Sequence, residues 1–307
     1  MKTIVDKFIP FLPHIPGQIV LDPLEITPDV VRDADAMLIR TRTKCNESLL
    51  AGSSVRFIAT ATIGFDHIDM TYCRNHNIYA TNCPGCNAQG VCDYVESALE
   101  YIHDGSTIGV VGCGHVGSLV VQMAERRGLN VLRYDPFLGY MDDVTKADII
   151  TFHTPLTRTG SYPSFHMAND VFFARLRSGV SIINAARGGV VDELALMHAM
   201  DKGIVKHAII DTWEGEPRIK HPELVQRADI ATFHIAGYTL QGKVNASTHV
   251  LDEYCRFFNL PAMRIVSPAA AAPLNKHWLE DIDRTFKAKP DAFEYWRETY
   301  PLRADLR

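Results

Sequence analysis

No uninterrupted apolar stretch in this 307-residue chain is long enough to cross a bilayer, so a membrane-spanning helix is not expected. Long basic runs are missing too, and the formal charge is only −5, which argues against a nucleic-acid surface. Cysteine is sparse. Seven thiols, an odd number over a chain this large, point to reduced cysteines and a cytoplasmic setting. Cys83 and Cys86 have redox-motif spacing, but a thioredoxin-type dithiol should open a helix after a strand in a small βαβ domain. A zinc site would need a second clustered pair, so no metal is expected. Pro84 and Gly85 read better as a turn leading into a helix that starts near Asn87. There is no internal repeat. Residues 1–6 enter a strand-like pattern and carry no signal-peptide features. What remains is ordinary globular composition, 47% hydrophobic and 22% charged, at a length that suits two domains.

The most informative segment is Gly112, Gly114 and Gly117, a GxGxxG spacing set between two elements. Upstream, 107–111 is a short apolar strand. Downstream, Val116, Leu119, Val120, Met123 and Ala124 recur at helical spacing, and Gly128 ends the run. Gly112 allows a tight turn, Gly114 lets a pyrophosphate approach the backbone, and Gly117 lets the helix lie close to the strand. The first N–H groups of that helix, around His115 and Val116, and its dipole then face the anion. Asp135 closes the next apolar stretch, near the spacing at which an acid meets the adenosine ribose. A carboxylate there accepts from both ribose hydroxyls and repels a 2′-phosphate, which favours NAD over NADP as cofactor; the plainer alternative is a strand-end Asp capping a turn before Pro136.

From 107 onward the alternation is regular, with strands expected at 130–134, 148–153, 180–184, 207–211 and 229–233. The first 87 residues show their own α/β pattern, with strands at 3–5, 36–39, 57–61 and 78–80. Val91, Tyr94, Val95, Ala98, Leu99 and Ile102 share one face of a helix between the two patterns, and a second amphipathic segment spans about 239–258. The expected organisation is a discontinuous substrate domain (1–87 plus 238–258), a dinucleotide-binding domain (88–237) and a C-terminal segment (259–307). Residues 267–273 read as a linker. The tail beyond holds Trp278, Phe286, Phe293, Tyr295, Trp296 and Tyr300, too many aromatics for it to bury alone, so it should dock on another surface or subunit. Two connections look too short, 103–106 and 136–148. The second has barely room for a helical crossover; either both loops are trimmed or flexible residues are missing from them, the latter being favoured.

Three segments at predicted strand ends carry reactive groups. Arg187 follows the strand at 180–184, where its planar fork suits a carboxylate. Asp211 closes the strand at 207–211, and Glu216 is held by the turn of Gly215 and Pro217. His234 closes the next strand. Consecutive elements in such sheets tend to be neighbours, so Glu216 and His234 could meet as a carboxylate–imidazole pair suited to acid/base work. In the first domain, Arg40, Arg42 and Lys44 alternate with threonines after its second predicted strand and could neutralise a phosphate. A charged edge strand is the plainer reading of the same run. The loop of Thr62 and Gly64 could offer N–H groups to a carboxylate, with Asp66 capping the helix that follows and His67 and Asp69 at its start.

Gly112-x-Gly114-x-x-Gly117, Asn184-x-x-Arg187-Gly188, Asp211-x-x-x-x-Glu216-Pro217 and His234-x-x-Gly237 together resemble the D-isomer-specific 2-hydroxyacid dehydrogenases, over residues 1 to about 258. The strings at 40–50, 60–69, 84–88, 213–217 and 234–239 are similar to a narrower branch of that family that acts on a phosphorylated 2-hydroxy acid. The resemblance implies an α/β fold: a Rossmann-type doubly wound parallel sheet, a second flavodoxin-like α/β domain and a small C-terminal dimerisation segment, with a homodimer as the assembly. It also implies that His234 is the acid/base, Glu216 its carboxylate partner, and Arg187 the group orienting the substrate carboxylate and carbinol oxygen. Asp135 and Thr154 then match nucleotide contacts, Asp211 and Gly237 match contacts around the nicotinamide, and Thr41, Thr62 and Tyr238 match substrate-binding positions. The alternatives are another member of the family, of phosphoglycerate or hydroxypyruvate type, and a non-catalytic NAD-sensing protein. Retention of Arg187, Glu216 and His234 together argues against the sensor.

Overall fold

The structure, a computed structural model, describes residues 1–266, 271–272 and 274–306. The chain divides into two compact units: Met1–Asn87 with Thr239–Ala271, and Ala88–Tyr238 with Ala272–Arg307. The linker expected at 267–273 falls largely outside the described residues.

The first unit is built on five parallel strands: β1 (Thr3–Asp6), β2 (Gln18–Leu21), β3 (Ala36–Ile39), β4 (Phe57–Thr60) and β5 (Tyr79–Thr81). Their order, β2-β1-β3-β4-β5, is the flavodoxin-like one. Every residue of β1, β3 and β4 is buried, as strands covered on both faces require. The helix Leu240–Phe257 covers one face. Its Val250, Leu251 and Tyr254 pack with Phe57 and Ala59, and Tyr254 Oη lies 2.8 Å from Thr3 Oγ1. β2 has no counterpart in the sequence reading, because four half-exposed edge residues following Pro10, Pro13 and Pro16 give too weak a pattern. The pairing of β3 between β1 and β4 corrects the placement of the charged run. β3 is the central strand, and residues 40–44 leave its carboxyl end as a turn instead of lying on an exposed edge. The helix cap is also corrected. Asp69, not Asp66, accepts the N–H groups of Thr71 and Tyr72 at 3.0 and 2.8 Å. A turn at 66–67, closed by the Ile68 N–H to the Phe65 carbonyl at 2.8 Å, and the pairing of Ile68 with Cys45 come first, so the helix Met70–Asn75 begins later.

The second unit holds β6 (Thr107–Val111), β7 (Asn130–Asp135), β8 (Tyr140–Met141), β9 (Ile149–Phe152), β10 (Val180–Asn184), β11 (Val205–Ile210) and β12 (Ile230–Ala231). They run in the order β12-β11-β10-β9-β6-β7-β8, with only β7–β8 antiparallel. Strand order reverses between β6 and β9, which makes their carboxyl ends the switch point where open α/β sheets take ligands. No α-helix connects β7 to β9. After a 3-10 turn at Pro136–Leu138, β8 folds back on β7, and a second such turn, Val144–Lys146, packs directly on the sheet. A side chain at Gly109 would stand 2.9 Å from Val144 Cβ. The other abrupt link is closed by Gly105, at φ 103°, and by Asp148, whose carboxylate accepts the N–H groups of Ser106 and Thr107 at 2.8 and 2.9 Å. Both short connections therefore close with the residues present.

Residues 272–306 do not form a unit of their own. Trp278, Leu279, Phe286 and Phe293, from the helices Trp278–Ala288 and Phe293–Thr299, enter the core of the second unit. Phe286 sits 5.9 Å from Trp213 and 5.7 Å from Phe233, ring centre to ring centre. Among the described residues, no helix is long and apolar enough to cross a membrane.

Candidate active site

At the switch point of the second unit, the three glycines differ in what constrains them. Gly112 has φ 86°, and a Cβ there would lie 2.9 Å from the backbone at His153 and Thr154. A Cβ on Gly117 would lie 1.8 Å from the Gly112 carbonyl oxygen, so the helix His115–Arg126 can approach β6 only without one. Gly114 has open space beside it. Only this last glycine is free of an internal packing reason, and it stands at the helix N-cap, where backbone N–H groups await an anion. Asp135 ends β7 next to the turn and accepts the Cys113 N–H at 2.8 Å and the Phe137 N–H at 3.2 Å. A phosphate cradle beside a fixed carboxylate fits a dinucleotide. His153, at the end of β9, was not singled out from sequence. Burial pushes its imidazole down to about 3, so it stays neutral; Nε2 lies 3.0 Å from Thr151 Oγ1, and Nδ1 has no hydrogen-bond partner among the described residues. Thr154 follows it, its hydroxyl 4.0 Å from Met167 Sδ.

Three strand-end loops meet further along the same edge. Glu216 Oε2 accepts from His234 Nδ1 at 2.6 Å, and Glu216 Oε1 accepts the Trp213 N–H at 2.8 Å. With Nδ1 so engaged, Nε2 is the nitrogen left for proton transfer, and the side chain keeps 29% of its surface in solvent. Burial pushes the Glu216 carboxyl up. The His234 imidazole, the Arg297 guanidinium and the Trp213 N–H outweigh it and leave the group below the usual carboxylate range. The loop of Arg187 is pressed against the same turn, since a Cβ on Gly188 would overlap the Trp213 carbonyl at 1.9 Å. Arg187 Nη1 donates to Ala186 O at 2.7 Å. Glu216 and His234 thus meet directly, and Arg187 joins them through its neighbour's backbone.

Asp211 is 1% exposed, and both its oxygens are occupied. Oδ1 accepts from Thr232 Oγ1 at 2.6 Å and Ile235 N at 2.8 Å, and Oδ2 accepts from Ala236 N at 3.0 Å. It therefore pins the loop that carries His234, whose own φ is 60°. The other side of that loop is held by Arg303, 1% exposed, which donates to the carbonyls of Ala236 and Gly90. Arg297 lies 5.6 Å over the Tyr238 ring, so the tail supports the loop at two points. Neither arginine stood out in the sequence; basic residues spaced through an aromatic tail were the available signal. Gly237 sits between Ala236 and Tyr238, half-buried.

Glu193, buried behind Glu214, accepts that residue's N–H at 2.7 Å, and burial holds its carboxyl up at about 8. A carboxyl raised above its unfolded value near 4.5 keeps its proton longer in the folded chain, so folding loses stability as pH rises from about 4.5 toward 8. Glu193→Gln should remove that loss. The variant's melting temperature should match the parent's near pH 5 and exceed it at pH 8, by an amount equivalent to on the order of 2–4 kcal/mol. Equal melting temperatures across the range would contradict the assignment.

In the first unit, Thr62 Oγ1 donates to Gly64 O at 2.8 Å and lies 2.8 Å from Thr60 Oγ1, which also contacts His67 Nε2 at 3.0 Å. Arg40 Nη1 donates to Phe8 O at 3.0 Å, and the Arg42 guanidinium stands 5.0 Å from the Phe8 ring centre. Thr41, Arg42 and Lys44 are exposed at the carboxyl end of β3, beside the switch point of that sheet.

A glycine-cradled dinucleotide unit with a carboxylate–imidazole pair at its strand ends, in one chain with a flavodoxin-like α/β unit, is the architecture of a nicotinamide-dependent hydroxyacid dehydrogenase. Residues 93–236 match the family described as "D-isomer specific 2-hydroxyacid dehydrogenase, NAD binding domain". The chain is 41% identical to the erythronate-4-phosphate dehydrogenase of Bacteroides fragilis, over 99% of this chain and 97% of that one. It is 40% identical to the enzyme of the same name from Bacteroides thetaiotaomicron, with the same coverage. The aligned length, 340 positions, exceeds the 307 residues here, so those relatives carry segments that this chain lacks. Among solved structures, the NAD-bound 3-phosphoglycerate dehydrogenase of Entamoeba histolytica shares the fold, with TM-score 0.71, 23% identity, and coverage of 88% of this chain and 99% of that one. The chain belongs to the D-isomer-specific 2-hydroxyacid dehydrogenases, in the group of the erythronate-4-phosphate dehydrogenases.

Proposed function

We propose that this protein oxidises the 2-hydroxyl of 4-phospho-D-erythronate, giving 3-hydroxy-2-oxo-4-phosphooxybutanoate, as a step of pyridoxal 5′-phosphate (vitamin B6) biosynthesis. The observation that carries the reading is the Glu216–His234 pair, supported by the names of the relatives. NAD, when bound, supplies the hydride acceptor. His234 Nε2 takes the hydroxyl proton, and Glu216 stabilises the imidazolium that forms. Arg187 holds the substrate carboxylate and the reacting oxygen by charge-assisted hydrogen bonds. Gly112, Gly114, His115, Val116 and Gly117 line the pyrophosphate cradle, Asp135 takes the ribose, and Thr154, Asp211 and Gly237 shape the remaining cofactor contacts. Thr41, Thr62 and Tyr238 bind substrate. A homodimer and a cytoplasmic setting complete the reading, the latter in keeping with seven free thiols. NADH formation from 4-phosphoerythronate should far exceed that from 3-phosphoglycerate. Equal rates would shift the assignment to another branch of the family, and no NADH from either would point to an NAD sensor.

The cationic run belongs to the substrate's phosphate, with at least one of Arg40, Arg42 and Lys44 reaching it. Arg42 and Lys44 are the exposed cations of the run, whereas Arg40 is half-buried. Arg42→Glu combined with Lys44→Glu should raise the KM for the phosphorylated substrate at least about tenfold, the scale of one lost charge-assisted contact, with little change in kcat. An unchanged KM would reject this role.

A further inference from the structure

Cys83 and Cys86 take no part in the reading above, yet their surroundings set them apart from the other five thiols. Pro84 and Gly85, the latter at φ 73°, form a turn closed by the Cys86 N–H to the Cys83 carbonyl at 3.4 Å. Such a turn holds its first and last Cα atoms within about 7 Å, close to the span a disulfide bridges. Cys83 is buried, with its Sγ 3.3 Å from Thr60 O and 3.5 Å from Ala246 O, and its N–H donates to Thr62 O at 3.0 Å. Cys86 is half-buried, the one thiol of the seven that is not fully buried.

We propose that Cys83 and Cys86 form a reversible redox-modification site, closed to a disulfide by peroxide, that controls the shape of the Thr60–Gly64 loop. The balance is simple. The Cys86 thiolate attacks one peroxide oxygen and becomes a sulfenic acid as the other oxygen leaves as hydroxide. The Cys83 sulfur then displaces the sulfenic oxygen as water, so two thiols and one hydrogen peroxide give one disulfide and two waters. Cys86 suits the attacking role. The Cys83 S–H hydrogen bond and the Lys243 charge hold its thiol below the ordinary range against the effect of burial. Elsewhere burial pushes thiols up, Cys113 to about 11, and Cys45 and Cys73 also upward. The consequence follows from what Cys83 holds. The single Cys83 S–H, shared among Cys86 and the Thr60 and Ala246 carbonyls, is gone once the sulfur is bridged, so the Thr60 carbonyl loses its share of that donor. Thr60 Oγ1 in turn contacts Thr62 Oγ1 and the His67 ring.

The activity readout rests on the proposed substrate; the chemical readout does not. Purified protein is treated with one equivalent of hydrogen peroxide, alkylated with iodoacetamide, and mapped by mass spectrometry. The expected product has lost two hydrogens and yields a Cys83–Cys86 cross-linked peptide. The KM for 4-phosphoerythronate should rise on the order of tenfold, as for a buried carbonyl left unpaired, with NAD affinity unchanged. Dithiothreitol should restore both mass and KM. In Cys83→Ser, oxidation should stop at a Cys86 sulfenic acid that dimedone traps. Cys83 still alkylated after Cys86 has been oxidised overturns the proposal, as does a disulfide that leaves KM unchanged. If the reduced protein turns over no substrate, the functional reading fails while the mapping still decides the disulfide.

Discussion

His234→Ala is expected to lower kcat about a thousandfold, within the range that a positioned general base contributes, while the Kd for NAD⁺ stays where it is. The split follows from geometry. The imidazole is fixed by Glu216 at 2.6 Å, whereas the pyrophosphate cradle and Asp135 lie at other strand ends, β6 and β7, and do not depend on it. Glu216→Gln should fall between parent and His234→Ala, because the amide can still accept from one imidazole nitrogen but no longer stabilises its charge. Steady-state turnover, with fluorescence titration of the cofactor, checks both. A His234→Ala enzyme retaining a tenth of parental kcat would remove the imidazole from the chemistry.

The second large effect concerns the glycines. Gly117→Ala places a methyl 1.8 Å from the Gly112 carbonyl oxygen, a clash with backbone that no rotamer relieves. The helix must move off β6, at an expected cost of about 3 kcal/mol, the upper end for overpacking. Cofactor affinity should fall with it. Gly114→Ala meets nothing within 4 Å, so its stability should change by no more than about 1 kcal/mol, the scale of an N-cap substitution. Its NAD affinity should nevertheless drop at least tenfold, because the methyl occupies the place of the phosphate. Thermal unfolding beside cofactor titration separates the two. A Gly114→Ala protein with parental affinity would show that the cradle does not hold the pyrophosphate.

The elements legible in the sequence were those whose signal is local. The β6–glycine–helix sequence declares itself within twenty residues, and the strands at 36–39 and 180–184 were read with the bounds the structure gives them. Gln18–Leu21 was missed because an edge strand half-exposed after three prolines has neither a continuous apolar run nor a clean alternation. β8 was missed because two exposed residues have no pattern at all. The helix cap went to Asp69 instead of Asp66 because a bridge from Ile68 to Cys45, 23 residues upstream, set the register.

The same division runs through the candidate site. Sequence by itself determined which chemical groups are available at the ends of the strands: a guanidinium at 187, a carboxylate at 216, an imidazole at 234, and glycines where a phosphate needs bare backbone. Those groups follow from residue type and from spacing along one strand, which the chain carries in itself. Only the tertiary structure decided how they are held. Asp211 and Arg303 grip opposite sides of the His234 loop across 24 and 67 residues of separation. Contacts of that kind leave no periodicity, because each is one buried hydrogen bond between distant residues, and packing alone brings its two ends together.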